Sequence, residues 1–194
     1  YGGVTDMLLE NKKTGAPGVY AFYNAEHSGR DWSDALDAVC ERMIGHNAAL
    51  LPDSADRRAA DDFVRERIEG ARNCLIDLQR ICSYGHFQLS EHMLTIREML
   101  SGLGEAHSAH TTVLMLRRHG VNARFVDLSG WRSDTQPDLD GRIDGAFADI
   151  DLARELPIVT GYAHCREGLM RLYDRGYSEV TFSRIAARTK AREA

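Results

Sequence analysis

The sequence predicts an α/β fold in which helices cover a parallel sheet. Apolar residues follow helical spacing through residues 31–87 and 90–119, and two short apolar segments at 121–127 and 156–160 have the character of strands. Helical sequence precedes and follows each of these strands, and this order of elements is typical of a parallel sheet. Ligands of such sheets bind at the carboxyl ends of the strands.

The composition excludes several classes of partner. The chain has 194 residues, of which 43% are hydrophobic and 27% charged, as in an ordinary globular domain. Its net charge of −5 and its lack of a long basic run argue against nucleic acid or an anionic membrane as a partner. Without a signal peptide, a long apolar span or a Cys-x-x-Cys pair, a cytoplasmic protein is expected. We expect four buried free thiols: Cys40, Cys74, Cys82 and Cys165.

The first twenty residues predict a glycine turn and a short helix. Thr5 follows Gly3 and precedes the helix-forming residues 7–10, so we expect its side chain to cap that helix. Residues 11–18 contain two glycines and a proline and predict an irregular connection. Residues 19–23 are too short and aromatic to assign.

Residues 31–87 predict two helices that form a hairpin at the edge of the main fold. The helical spacing breaks at Pro52, and residues 53–56 supply capping side chains for the second helix. Arginine and aspartate occupy the opposite face. A charged helical face is usually solvated, so no chemistry is assigned to it.

The next segment predicts a helix, a second helix and a strand. The first helix starts at Ser90 and stops at the glycines of 102–104, and the second starts at Glu105. The strand covers 121–127, and a loop runs from Trp131 to Gly145. Four aspartates in that loop do not fit the register of a calcium-binding loop, so no metal site is predicted. Residues 148–155 resemble a helix or helical turn.

The carboxyl-terminal part predicts an anion-binding corner. A buried strand at 156–160 leads through a loop to the glycine turn at Gly176, after which Ser178 is expected to cap a helix spanning about 180–190. The first N–H groups of a helix attract anions. Arg175 adds a permanent positive charge and Glu179 a carboxylate. This pairing suits an amino acid, whose carboxylate binds arginine and whose ammonium binds a carboxylate.

Other candidate residues have ordinary structural explanations. A glutamate such as Glu105 in the first turn of a helix usually interacts with the helix dipole. His107 and His110 lie three residues apart, but no further ligand occurs at metal spacing. His164 and Cys165 are adjacent and match no nucleophile–base motif that we can justify. Glycine-rich phosphate loops of the Walker or dinucleotide type are absent from the sequence.

Five short motifs together resemble aspartate kinases of the amino-acid kinase superfamily. They are Gly-Val-Thr-Asp at 3–6, Gly-Glu at 104–105, Phe-Val-Asp at 125–127, Thr-Gly-Tyr at 160–162 and Arg-Gly-Tyr-Ser-Glu at 175–179. Their order and spacing are similar to those of the family over nearly the whole chain. The sequences of residues 3–10 and 177–187 are most similar to those of the aspartate kinase branch found with ectoine biosynthesis.

This resemblance implies a three-layer α/β/α sandwich in which ATP, with Mg²⁺, phosphorylates the side-chain carboxylate of L-aspartate. By analogy Thr5 would hydrogen-bond the reacting carboxylate, and Arg175 would bind the α-carboxylate. Glu105 and Glu179 would hold the ammonium, with Ser178 beside them. No general base is needed, because a carboxylate with a reference pKa of about 3.9 is already ionised at neutral pH. Positioning and charge neutralisation carry the catalysis.

The chain departs from the family pattern in one turn and covers only part of the family's length. Asp174, Tyr177 and Glu179 replace two glycines and an aspartate of the usual Gly-Arg-Gly-Gly-Ser-Asp. We expect 1–194 to be a partial catalytic domain with 31–87 as a helical insertion. The lysine-containing strand that binds phosphate, the nucleotide-binding half and the ACT domains would lie outside it. The full-length enzyme is expected to be a homo-oligomer, and the 194 residues alone are expected not to turn over ATP.

Two alternatives remain open from the sequence. The chain could belong to another member of the superfamily that acts on glutamate, carbamate or a similar small acid. It could also be a noncatalytic remnant whose helical block mediates assembly.

Overall fold

The computed structural model describes residues 3–25, 31–52, 54–173 and 176–191, which contain eight helices and two strands. The chain divides into two compact units, Tyr1–His107 and Ser108–Ala194, and the boundary falls inside a helix. In chain order the elements are α1 (Val4–Leu8), α2 (Val19–Asn24), α3 (Asp31–Leu50), α4 (Ala55–Cys82), α5 (Leu89–Arg118), β1 (Ala123–Val126), α6 (Leu139–Phe147), β2 (Leu156–Val159), α7 (Leu169–Leu172) and α8 (Tyr177–Thr189). The mixed α/β class is confirmed.

The two helices predicted for residues 31–87 are present as α3 and α4 in the first unit. Ser54 caps α4, since its Oγ accepts a hydrogen bond from the Arg57 N–H at 3.4 Å. Arg72 of α4 donates to Ser33 and Asp37 of α3, at 2.5 Å in both cases. The buried apolar faces of the two helices form the core of this hairpin: Trp32, Leu36, Val39 and Met43 on α3, and Val64, Ile68 and Leu75 on α4.

The amino-terminal turn differs from the prediction at its cap. Gly3 is the N-cap of α1 in a left-handed conformation with φ of 89°, and Thr5 lies inside the helix. Gly3 takes this place because its backbone conformation is one that a residue with a Cβ rarely adopts. Residues 19–23, which the sequence left unassigned, lie in α2. The Tyr23 hydroxyl donates to the Leu75 carbonyl at 2.8 Å and so fixes α2 to α4.

Helix α5 is continuous, so the predicted break at residues 102–104 is wrong. The helix runs for 30 residues, and none of its glycines has a positive φ. A Cβ placed on Gly104 would lie 3.1 Å from Cγ1 of Val4, which is closer than most such contacts. Gly104 therefore allows α1 to pack closely against α5, and this glycine marks a helix contact rather than a helix end.

The second unit contains the predicted parallel sheet. Among the described residues it has two strands, β1 and β2, which pair in parallel with Phe125 opposite Ile158. Most of helix α6 lies in the segment predicted as a loop. Asp138 caps this helix by accepting a hydrogen bond from the Gly141 N–H at 2.8 Å. Residues 148–155 form turns instead of a full helix.

Ion pairs join α6 to α8, and one apolar cluster packs helices of the second unit against the sheet. Arg184 and Arg188 of α8 bind Asp140 and Asp144 of α6, each through a pair of hydrogen bonds. Both pairs repeat at a spacing of four residues, so they fix the register of the two helices. The buried cluster beneath them comprises Val126, Leu128, Leu139, Ile143, Ala163, Cys165 and Leu169.

The cysteines only partly follow the prediction. All four thiols are free, but Cys165 alone is buried, Cys40 and Cys82 are half-buried and Cys74 is exposed. The expectation of four buried thiols is therefore wrong, because Cys74 faces outward from α4. No helix within the described residues is both long and apolar enough to cross a membrane.

Candidate functional site

Thr5 lies at a cleft in the first unit. It is exposed on α1, and the cleft beside it has a volume of about 190 Å³. The side chains that line this cleft carry both signs of charge together with hydroxyl groups: Thr5, Asp6, Leu9, Glu10, Lys12, Tyr20 and Arg97. A small zwitterion is the kind of ligand that such a mixed lining suits, because cations attract its carboxylates and carboxylates attract its ammonium.

Lys12 and Arg97 were not predicted as site residues. Lys12 lies in the irregular connection after α1, and Arg97 is half-buried on α5. Neither residue carries a local sequence signal, because Lys12 and Arg97 are far apart in the chain and share the cleft only once it is folded.

Glu105 lies well inside α5 instead of in a first helical turn. Its side chain is half-buried, and it is not among the residues that line the Thr5 cleft. The dipole explanation for this glutamate therefore fails, because that interaction is confined to the first turn of a helix. Its neighbour Gly104 contacts Val4, so the backbone of Glu105 lies beside the residue that precedes Thr5.

The carboxyl ends of β1 and β2 are joined by hydrogen bonds in the second unit. Thr160 Oγ1 accepts from the Leu128 N–H at 2.9 Å and donates to the Tyr162 carbonyl at 3.0 Å. The His164 N–H donates to the Leu128 carbonyl at 2.8 Å. Thr160 and Tyr162 are buried. In the predicted Thr-Gly-Tyr motif, the threonine therefore has a structural role, which is to fix the loops that follow both strands.

Ser178 and Glu179 lie in the first turn of α8. Gly176 is the N-cap, with φ of 83° and no side-chain hydrogen bond at the cap, so the prediction that Ser178 caps the helix is wrong. A Cβ on Gly176 would lie 3.8 Å from Oε2 of Glu179. The exposed carboxylate of Glu179 therefore folds back over the start of α8. Asp174 and Arg175 lie outside the described residues.

An aromatic contact fixes the start of α8. The rings of Tyr162 and Tyr177 meet edge to face, with centroids 6.1 Å apart. Tyr177 is one of the residues that departs from the family pattern, where glycine is usual. Since Tyr162 follows β2, this contact holds Ser178 and Glu179 close to the carboxyl end of that strand.

The loop residues His164 and Cys165 do not form a nucleophile–base pair. Burial raises the pKa of the Cys165 thiol to about 11, with a further contribution from the Glu167 carboxylate, so the thiolate is scarce at neutral pH. Burial and the nearby Arg142 guanidinium lower the pKa of His164. Arg142 also donates to the His164 carbonyl at 2.9 Å and to the Thr135 carbonyl at 2.9 Å. These hydrogen bonds join the loop that contains His164 to the loop that contains Thr135. These residues are structural.

Comparison with known proteins identifies the family that the chain resembles. All 194 residues align with aspartate kinase Ask_Ect of Stutzerimonas stutzeri (strain A1501) at 50% identity, and the chain spans 41% of that protein's length. The resemblance to aspartate kinases is confirmed. No family model and no solved structure matches the chain. Because the alignment covers all 194 residues, it includes the segments that form α3 and α4 as well as the motif regions.

Proposed function

We propose that the chain is the amino-acid-binding part of an aspartate kinase, which transfers the γ-phosphoryl group of ATP to the side-chain carboxylate of L-aspartate. The product would be 4-phospho-L-aspartate. The observation that carries this proposal is the 50% identity to Ask_Ect over all 194 residues. The suffix in that relative's name agrees with the ectoine branch of the family. A cytoplasmic homo-oligomer with a three-layer α/β/α sandwich is the form that we propose for the full-length enzyme.

The proposed roles of the side chains follow from the chemistry of aspartate. Arg175 binds the α-carboxylate through its planar guanidinium, and Glu105 and Glu179 bind the ammonium, with Ser178 beside Glu179. Thr5 donates to the side-chain carboxylate that accepts the phosphoryl group. Because that carboxylate is ionised at neutral pH, the residues need only hold it in line with the phosphorus.

The charges at the Thr5 cleft support a zwitterionic substrate in the first unit. Lys12 and Arg97 supply positive charge to the cleft and Asp6 and Glu10 supply negative charge, so both poles of an amino acid find opposite charge next to the hydroxyl that we assign to the reacting carboxylate. Within the described residues no three His, Cys, Asp or Glu side chains cluster in a way that could hold a metal ion.

Phosphoryl transfer by the full-length protein tests the proposal. With ATP and Mg²⁺ present, L-aspartate is expected to stimulate ADP release, and hydroxylamine is expected to trap the acyl phosphate as a hydroxamate. L-Glutamate and carbamate serve as competing acceptors. Faster ADP release with either of them than with L-aspartate would assign the protein to another member of the superfamily. The isolated 194-residue chain is expected to release no ADP under the same conditions.

A further inference from the structure

A chain of buried polar groups links α5 to both helices of the α3–α4 hairpin. His107 of α5 and Asn47 of α3 have no solvent-exposed surface, and Asp61 of α4 is 8% exposed. His107 Nε2 lies 2.7 Å from Asn47 Oδ1, and Asn47 Nδ2 lies 2.9 Å from Asp61 Oδ1. Arg57 lies beyond them, with its Nε 3.8 Å from the other oxygen of Asp61. Three helices of the first unit therefore meet in one hydrogen-bonded chain.

The Asp61 carboxylate sets the direction of these two hydrogen bonds. An ionised aspartate only accepts hydrogen bonds, so the amide nitrogen of Asn47 faces Asp61. The amide oxygen of Asn47 then faces His107, and the imidazole must donate through Nε2–H. The tautomer of His107 follows from this network, and an apolar side chain at any of the three positions would leave a buried group without its partner.

Such a network fixes one position of α5 against the hairpin. Apolar packing tolerates small shifts along and around a helix, whereas a hydrogen bond of 2.7 Å between two fully buried side chains does not. Buried polar groups have this registering role in other helical assemblies, where one asparagine selects a single alignment of helices.

The spacing of residues along α5 relates the position of His107 to that of Glu105. Two residues along an α-helix correspond to roughly 200° of rotation and 3 Å of rise, so Glu105 lies almost opposite His107 and close to it along the axis. On the same turn of α5, Gly104 contacts Val4, the residue before Thr5. The same turn of α5 thus carries His107, which is hydrogen-bonded to the hairpin, the contact with α1 and the glutamate that we assign to the substrate ammonium.

We propose that His107 and Asn47 are positioning residues, through which the α3–α4 hairpin sets the position of Glu105 for binding L-aspartate. The inference rests on the proposed function. It gives the hairpin, which the sequence marked only as a solvated helical insertion, a part in substrate binding. A shift of α5 in this turn displaces Glu105, and a displaced carboxylate weakens the contact with the ammonium while leaving ATP binding intact.

Steady-state kinetics of the full-length protein test this inference. His107→Leu removes the donor, and His107→Gln keeps an amide N–H near the position of Nε2. We expect His107→Leu to raise KM for L-aspartate by about tenfold, with KM for ATP unchanged, and His107→Gln to restore KM for L-aspartate most of the way. Asn47→Ala is expected to act like His107→Leu and serves in its place if that variant does not fold.

A purely structural role is distinguished by a matched control. Val64→Ala removes buried apolar volume one turn beyond Asp61 on α4, so it lowers the melting temperature while all three side chains of the polar chain are kept. It is expected to leave KM for L-aspartate unchanged. An unchanged KM in His107→Leu, or an equal rise in Val64→Ala, would overturn the inference while the wild-type protein remains an active aspartate kinase. Absence of any aspartate-dependent ADP release by the wild type would overturn the proposed function and this inference with it.

Discussion

Replacing Glu105 with alanine in the full-length protein is expected to raise KM for L-aspartate by roughly 10- to 100-fold, since a hydrogen bond to a charged group contributes about 1.5–3 kcal/mol. The physical reason is that the substrate ammonium loses one of its two carboxylate partners. Glu105→Gln keeps the shape and loses the charge, so it is expected to lie between wild type and Glu105→Ala. Initial rates at varied L-aspartate and saturating ATP measure the effect.

The control for this variant lies on the same helix. Glu91 is exposed in the first turn of α5, and Glu91→Ala removes a carboxylate of the same kind far from Gly104. We expect it to leave KM for L-aspartate unchanged. Melting temperatures of both variants show whether Glu105→Ala acts through stability. If its KM for L-aspartate equals that of wild type, Glu105 is a structural residue of α5 and the assignment to the ammonium is wrong.

Gly18→Ala is expected to destabilise the first unit by about 1–3 kcal/mol through overpacking. Gly18 precedes α2 with φ of −102°, a conformation open to alanine, so the cost is steric. A Cβ at this position would lie 2.4 Å from the carbonyl oxygen of Met7 and 2.7 Å from that of Leu9. Both atoms belong to the backbone at the end of α1, so relief requires α1 and α2 to separate. Thermal unfolding of the full-length protein measures the loss.

The matched control is a glycine in open space. Gly45 is exposed inside α3, and a Cβ there meets no atom within 4 Å. Gly45→Ala is therefore expected to stabilise the helix by about 0.5–1 kcal/mol, since alanine loses less conformational freedom on folding. Hydrogen exchange localises the change, because faster exchange in Gly18→Ala should be confined to amides near α1 and α2. A melting temperature for Gly18→Ala at or above that of wild type would contradict the close packing at this junction.

Sequence patterns correctly predicted the elements that depend mainly on residues close together in the chain. The spacing of Trp32, Leu36, Val39 and Met43 places α3, and Ser54 caps α4 as its residue type indicates. The parallel pairing of β1 with β2 follows from the order of the elements. In these segments periodicity, capping and connection length all favour the same structure, and such agreement makes a fold predictable.

The errors arose where a residue's role depends on a distant partner. Gly104 resembles a helix end in the sequence, but its place in α5 is explained by its contact with Val4. Asp138 was counted among loop aspartates, although its position three residues before Gly141 permits a capping hydrogen bond. In both cases, a residue that makes a tertiary contact or caps a helix was interpreted from the sequence as a helix breaker or as part of a loop.

The candidate site was predictable only as far as the family resemblance reaches. Thr5 was singled out and lies at a cleft, whereas Arg97 and Lys12 join it through packing that no local pattern records. The polar chain of His107, Asn47 and Asp61 has the same origin, since its members are 14 and 60 residues apart. Contacts between residues so far apart in the chain can be identified only when the positions of the helices are known.

Binding of L-aspartate to the full-length protein, measured by isothermal titration calorimetry without ATP, tests whether Arg175 binds the α-carboxylate of the substrate. We compare wild type with Arg175→Ala and with Arg171→Ala, a control that removes an exposed arginine of α7. We expect Arg175→Ala to weaken binding by at least about tenfold, because charge-assisted hydrogen bonds to a carboxylate are lost, and Arg171→Ala to bind as wild type does. Equal affinity of wild type and Arg175→Ala for L-aspartate would contradict it.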